Sequence, residues 1–145
     1  MPYHHTQLGT LNLVVNLVIG ALCAAIIWLT GTLSMAFMLV MVILVVVAIL
    51  FCSLTVDVNG NELRWHFGPG FWTYRLALDE IQSVAIVRNH WWNGWGIRTA
   101  PGFTLYNVSG LDAVELKLKS GEIRRIGTDD PLALAAALKS QAQGR

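Results

Sequence analysis

The sequence predicts an α+β membrane protein, with a two-helix transmembrane hairpin followed by an antiparallel β domain of seven or eight strands that a C-terminal helix closes. Three observations predict it. No residue before Asp57 carries a formal side-chain charge, and all 10 Lys and Arg and all 9 Asp and Glu lie from Asp57 onward. Residues 11–29 and 33–52 are apolar stretches of about 20 residues, which at 1.5 Å rise per residue cross a hydrocarbon core about 30 Å thick. From Leu54 the apolar residues recur with a period of two, the signature of strands buried on one face.

The division of the chain follows. Residues 1–10 read as an N-terminal tail, 11–53 as the hairpin and 54–145 as the charged domain. The tail has no Lys or Arg and Leu22 precedes Cys23, which opposes both a cleaved signal peptide and a lipoprotein signal, so the first span is expected to stay. Thr30, Gly31 and Thr32, with Ser34 just beyond, leave room only for a tight turn, so the spans are antiparallel neighbours. Arg64 and Arg75 follow the second span and the turn is uncharged; the positive-inside bias then places the domain and both termini on the cytoplasmic side of the cell membrane.

Within the hairpin, Gly20 and Ala24 lie four residues apart beside Ala21 and Ala25, a small-residue face that lets helix backbones approach in lipid. Asn12 and Asn16 share that spacing. An amide in hydrocarbon needs a partner, so these two join helices, within one hairpin or between copies, or line a polar path.

In the domain, residues 54–58 and 62–67 alternate apolar with polar around Asn59-Gly60, a dipeptide suited to a tight hairpin turn. Gly68-Pro69-Gly70 ends the second strand, and Trp72, Tyr74 and Leu76 are expected on one face of a third. Residues 81–87, 96–98 and 103–107 supply further strands. In 112–119, Val114, Leu116 and Leu118 point inward while Glu115, Lys117 and Lys119 point to water. Ser120-Gly121 turns the chain into 122–126, where Arg124-Arg125 breaks alternation and suggests a bulge. Asp130 followed by Pro131 reads as a helix start, with the helix over 131–141 and Leu134 and Leu138 one turn apart.

This order of elements, with the stretches Gly94-Trp95-Gly96-Ile97-Arg98, Leu105-Tyr106-Asn107-Val108-Ser109-Gly110, Ala113-Val114-Glu115-Leu116 and Ile126-Gly127-Thr128-Asp129-Asp130-Pro131, resembles the bacterial pleckstrin-homology-like membrane proteins. The resemblance covers residues 54–142 and, by architecture, the hairpin. It implies a PH-like β-barrel or sandwich plugged by the C-terminal helix, and no catalytic residues. Relatives of this fold that bind phosphoinositides use basic residues in the first hairpin loop; here Asn59-Gly60-Asn61 has none.

Half of the 6 tryptophans fall within residues 91–95. Trp91, Trp92 and Trp95, flanked by Arg88 and Arg98, are the candidate contact surface for membrane lipid or a protein partner, because Trp favours the membrane interface and Arg reaches lipid phosphates. Packing inside the domain is the plain alternative. A net charge of +1 without a basic cluster excludes nucleic acid as partner. His4, His5, His66 and His90 lack metal-ligand spacing, Gly94-x-Gly96 lacks the third glycine of a dinucleotide loop, and Cys23 and Cys52 sit in the spans, so no metal or cofactor is expected. The paired acids Asp79-Glu80 and Asp129-Asp130 read as a strand entry and a helix cap. Lys117, Lys119, Arg124 and Arg125 could form a basic stripe, although Glu115 and Glu122 among them favour cross-strand pairing. The expected function is a membrane-anchored binding or scaffolding module at the inner leaflet and not an enzyme; the alternative is an oligomerising transmembrane component of a transporter or channel.

Overall fold

The computed structural model describes residues 2–143. The fold is α+β, with two sheets and three helices. Strand β1 (Tyr3–Leu8) leads into helix α1 (Thr10–Thr30), which α2 (Met35–Leu50) follows. The chain then forms β2 (Ser53–Asn59), β3 (Glu62–Phe67), β4 (Thr73–Ala77), β5 (Ile81–Arg88), β6 (Gly96–Ala100), β7 (Phe103–Asn107), β8 (Asp112–Leu118), β9 (Ile123–Gly127) and α3 (Pro131–Gln143). One sheet has the order β1-β2-β3-β4, the other β5-β8-β9-β7-β6.

Several expectations are corrected. Residues 1–10 are no simple tail: β1 pairs antiparallel with β2 from Tyr3 opposite Val58 to Leu8 opposite Ser53. The polar run His-His-Thr-Gln becomes a strand because its backbone completes an otherwise open edge. The two sheets do not close into a barrel, and β7 runs parallel to β9, so the domain is not wholly antiparallel. The bulge lies between Ile81 and Ser83. At Arg124-Arg125 the register with β8 is unbroken. Arg124 opposes Leu116 on the inward face at the rim of the core, where its Nε donates to Glu122 Oε1 at 2.9 Å; Arg125 faces outward and bonds Glu115 Oε2 at 2.7 Å. The Arg124 hydrogen bonds hold the Glu122 carboxyl below the usual carboxylate range. Trp72 lies before β4 rather than on its inner face and is exposed.

Other readings hold. The β2–β3 hairpin forms, but its two-residue turn is Gly60-Asn61 and not the expected Asn59-Gly60: Asn59 pairs with Glu62, and a positive φ of 60° at Gly60 alone is the pattern of a type II′ turn. Alternation in β8 buries Val114, Leu116 and Leu118 against Leu54, Val56, Leu63 and Trp65 of the first sheet. Leu134 and Leu138 of α3 enter the same core. Asp130 caps α3, its Oδ1 accepting from Ala133 N at 3.1 Å. Asp130→Ala is expected to remove about 1 kcal/mol of domain stability, read as a lower urea midpoint of the full chain in detergent.

The hairpin grows directly out of the β1–β2 ladder. Gly9 N donates to Cys52 O at 2.7 Å, so the two chains are still paired where strand becomes helix. A Cβ on Gly9 would collide with the Phe51 carbonyl, and one on Gly68 would lie 2.5 Å from the Ile49 carbonyl oxygen. Helices and domain therefore meet backbone to backbone.

Among the described residues α1, with 21 residues, is the one helix long and apolar enough to cross a membrane; none of it is buried. The second stretch, expected over 33–52, is a helix of only 16 residues. At 1.5 Å per residue α2 reaches about 24 Å, short of a hydrocarbon core about 30 Å thick. Ser34 caps it, accepting from Phe37 N at 3.4 Å.

Candidate membrane-facing site

Asn12 and Asn16 lie on the side of α1 turned to α2. Asn12 Nδ2 donates to Phe51 O at 3.2 Å and Val47 O at 3.4 Å, and Asn16 Nδ2 to Asn12 O at 2.7 Å. Val47 O already accepts from Phe51 N at 3.0 Å, whereas the Phe51 carbonyl lies past the last turn of α2, so Asn12 serves there as a cap supplied by the neighbouring helix. Asn12 thus binds the two helices of one hairpin at its base, and Asn16 bonds only to Asn12 within α1. Asn16 Oδ1 stays buried without a partner.

Gly20 shares this face, but a Cβ there would meet nothing within 4 Å, and Ala24 is exposed. The small-residue face expected at Gly20 and Ala24 is therefore not a tight contact between α1 and α2. The remaining side chains of both helices present Leu, Val, Ile and Met outward, an apolar surface far more continuous than folded proteins leave to water.

Where this surface meets the domain, aromatic side chains gather. On the α1 side, Trp91 and Trp95 line a groove with Leu11 and Val14. On the α2 side, Trp72 and Ile97 border a hollow with Leu50 and Phe51. Trp91 is 70% exposed, Trp92 63% and Trp72 65%, although each is large enough to dominate a core. At the far end of α1, Trp28 is 87% exposed. Sequence reasoning missed Trp28 and Trp72; the signal for Trp28 was its place at the end of an apolar stretch.

The expected contact residues divide. Trp92 stacks on His90 with ring centroids 4.2 Å apart, and Trp91 meets Trp92 edge-on at 6.0 Å. Trp95 is half-buried, its Nε1 donating to Gly110 O at 3.0 Å, so it also anchors the loop before β8. Arg98 Nε donates to Trp95 O at 3.3 Å. Arg88 lies 4.0 Å from Asp112 across the β5–β8 ladder. The structure therefore gathers Trp91, Trp95 and Arg98 at the hairpin base, keeps Trp92 beside them through Trp91, and gives Arg88 an acidic partner of its own.

Between the hairpin and β6 is a cleft of about 540 Å³. Leu11, Val15 and Val47 form its apolar side, Trp95 and Ile97 its domain side, and Arg98 lines it as well. Gly94 and Gly96 bring backbone rather than side chain to its wall. Arg75 and Arg98 are the arginines without a carboxylate partner among the described residues; the others pair with Glu62, Asp112, Glu122 and Glu115.

The histidines disperse. His4 contacts Asp57, His5 Nε2 lies 2.5 Å from Asp129 Oδ1, and His66 sits beside Gly70. No group of three or more His, Cys, Asp or Glu able to hold a metal occurs among the described residues. Arg125 is held by Glu115, by Asn89 Oδ1 at 3.1 Å and over the Phe103 ring at 3.8 Å. With Arg124 and Arg125 both paired, the basic stripe is reduced to the exposed Lys117 and Lys119. No family model matches this chain, and no curated protein matches it.

Proposed function

We propose that the chain is an integral membrane protein whose α1–α2 pair spans the bilayer as a hairpin. Its two-sheet domain, PH-like in its closing helix and sheet packing, acts as a binding or scaffolding module seated on the inner leaflet. The parallel β7–β9 pair and the strand contributed from before the hairpin are departures from the resemblance. The observation that carries the reading is the band of exposed tryptophans at the hairpin base, continuous with helices that are apolar on every side. Trp at this height keeps its ring at the acyl boundary and its N–H in water, and Trp28 supplies the matching anchor on the far side. The shortness of α2 is met by local thinning of the bilayer or by the four residues that join the helices. The domain then has no freedom to leave the surface, so whatever it recognises, a protein partner or a lipid headgroup, is met there.

In vesicles whose lipids carry bromine near the headgroup, wild-type tryptophan fluorescence is expected to be quenched strongly, and Trp91→Ala with Trp92→Ala is expected to remove a large part of that quenching without altering the circular dichroism. Equal quenching of wild type and double variant would contradict a membrane-seated loop.

A further inference from the structure

We propose that the cleft between the hairpin base and β6 is a binding site for one anionic phospholipid, an inference that rests on the membrane reading above. The acyl chain lies along Leu11, Val15 and Val47, and the phosphate is held by Arg98. Three features point to this ligand. The volume of about 540 Å³ lies within the range of small-molecule sites, about 300–1,000 Å³, and the lining is mostly apolar, as a lipid tail requires. Arg98 has no acidic partner, in contrast to Arg64, Arg88, Arg124 and Arg125, and its one hydrogen bond, from Nε to Trp95 O, leaves the outer nitrogens of the guanidinium free to grip a phosphate in bidentate fashion. The apolar side of the cleft is continuous with the exposed surface of α1, so a lipid enters sideways from the bilayer with its tail never crossing water. A soluble anion gains nothing from Leu11, Val15 or Val47, which separates the lipid from free phosphate as the occupant.

The test uses the full chain reconstituted in vesicles of equal phosphatidylglycerol and phosphatidylcholine, then released into mild detergent for native mass spectrometry of bound lipid. Wild type is expected to retain phosphatidylglycerol preferentially. Arg98→Gln is expected to lower that preference about fivefold, in keeping with the attraction one interfacial arginine exerts on anionic lipid, while keeping the protein in the vesicles. Val15→Phe, which fills the apolar side, is expected to lower retention of both lipids. Unchanged preference in Arg98→Gln overturns the proposal, as does displacement of the retained lipid by inorganic phosphate alone. Wild-type protein that floats with the vesicles but retains no preferred lipid overturns the site and spares the membrane reading; wild type that does not float overturns both.

Discussion

Trp65→Ala is expected to cost the domain about 3–5 kcal/mol, the loss usual for emptying a large aromatic site in a core. Trp65 is fully buried on β3 and is the largest of the side chains that the two sheets bury between them. Its ring stacks on Tyr74 of β4 at 5.5 Å, and meets Tyr106 of β7 edge-on at 5.2 Å. Tyr74 and Tyr106 are themselves 4.9 Å apart, so removing the indole opens a void at the centre of a three-ring cluster instead of at its margin. The surrounding elements are strands of two different sheets, which cannot collapse into it together. Trp65 Nε1 is buried without a hydrogen-bond partner, so Trp65→Phe loses volume but also removes an unpaired donor and is expected to cost far less. Urea unfolding of the full chain in detergent, followed by far-ultraviolet circular dichroism, separates the two; equal losses would contradict a packing role for this ring.

Gly68→Ala has the second-largest expected effect, and it acts on the joint between helices and domain. Gly68 has φ +48°, and its N donates to Ser53 O at 2.8 Å, holding the end of β3 against the first residue of β2, just after α2. A Cβ there would lie 2.5 Å from Ile49 O and 2.8 Å from Leu50 O, both backbone atoms that cannot swing aside. Backbone strain alone costs about 1–3 kcal/mol for a residue with a side chain in such a conformation. Gly60 provides the control, because it also has positive φ, +60°, yet a Cβ on it would meet nothing within 4 Å. Gly60→Ala should therefore show the strain without the collision. The difference between the two variants measures how rigidly the domain is joined to the hairpin, and amide exchange around Phe51 and Cys52 should accelerate in Gly68→Ala only. Matching exchange in both variants would contradict a rigid joint.

Local chemistry made much of this fold legible. The hairpin glycine Gly60, the alternation in β8 and the Asp130-Pro131 start of α3 act within a few residues; the turn fell one residue later than Asn59-Gly60, at Gly60-Asn61, and the other two formed where their own side chains dictated. The charge-free opening third marked both apolar helices, though not that α2 would stop at Leu50. What the sequence concealed depends on partners distant along the chain. β1 has a composition that suits a loop, and it becomes a strand only because β2, some fifty residues later, offers an unpaired edge. Arg124 looked like a break in alternation because a charge on the inward face is unusual; Glu122 and the rim of the core make it tolerable. At the candidate site, the tryptophan cluster was visible from its density, whereas Trp72 joined it through the geometry of the hairpin base. That Arg98 lacks an acid while Arg88 has one could be seen only after the strands were paired.

The central claim, that α1 and α2 lie in lipid with the domain held against its surface, is tested most directly at Cys23, midway along α1 and half-buried. A nitroxide attached there, in the full chain with Cys52→Ser and reconstituted in vesicles, should collide readily with dissolved oxygen and scarcely with a water-soluble nickel chelate. The same label on Cys52, in the Cys23→Ser chain, should sense both at the membrane boundary. Ready access of the nickel chelate to position 23, or a full chain that stays monomeric in buffer without detergent, would contradict it.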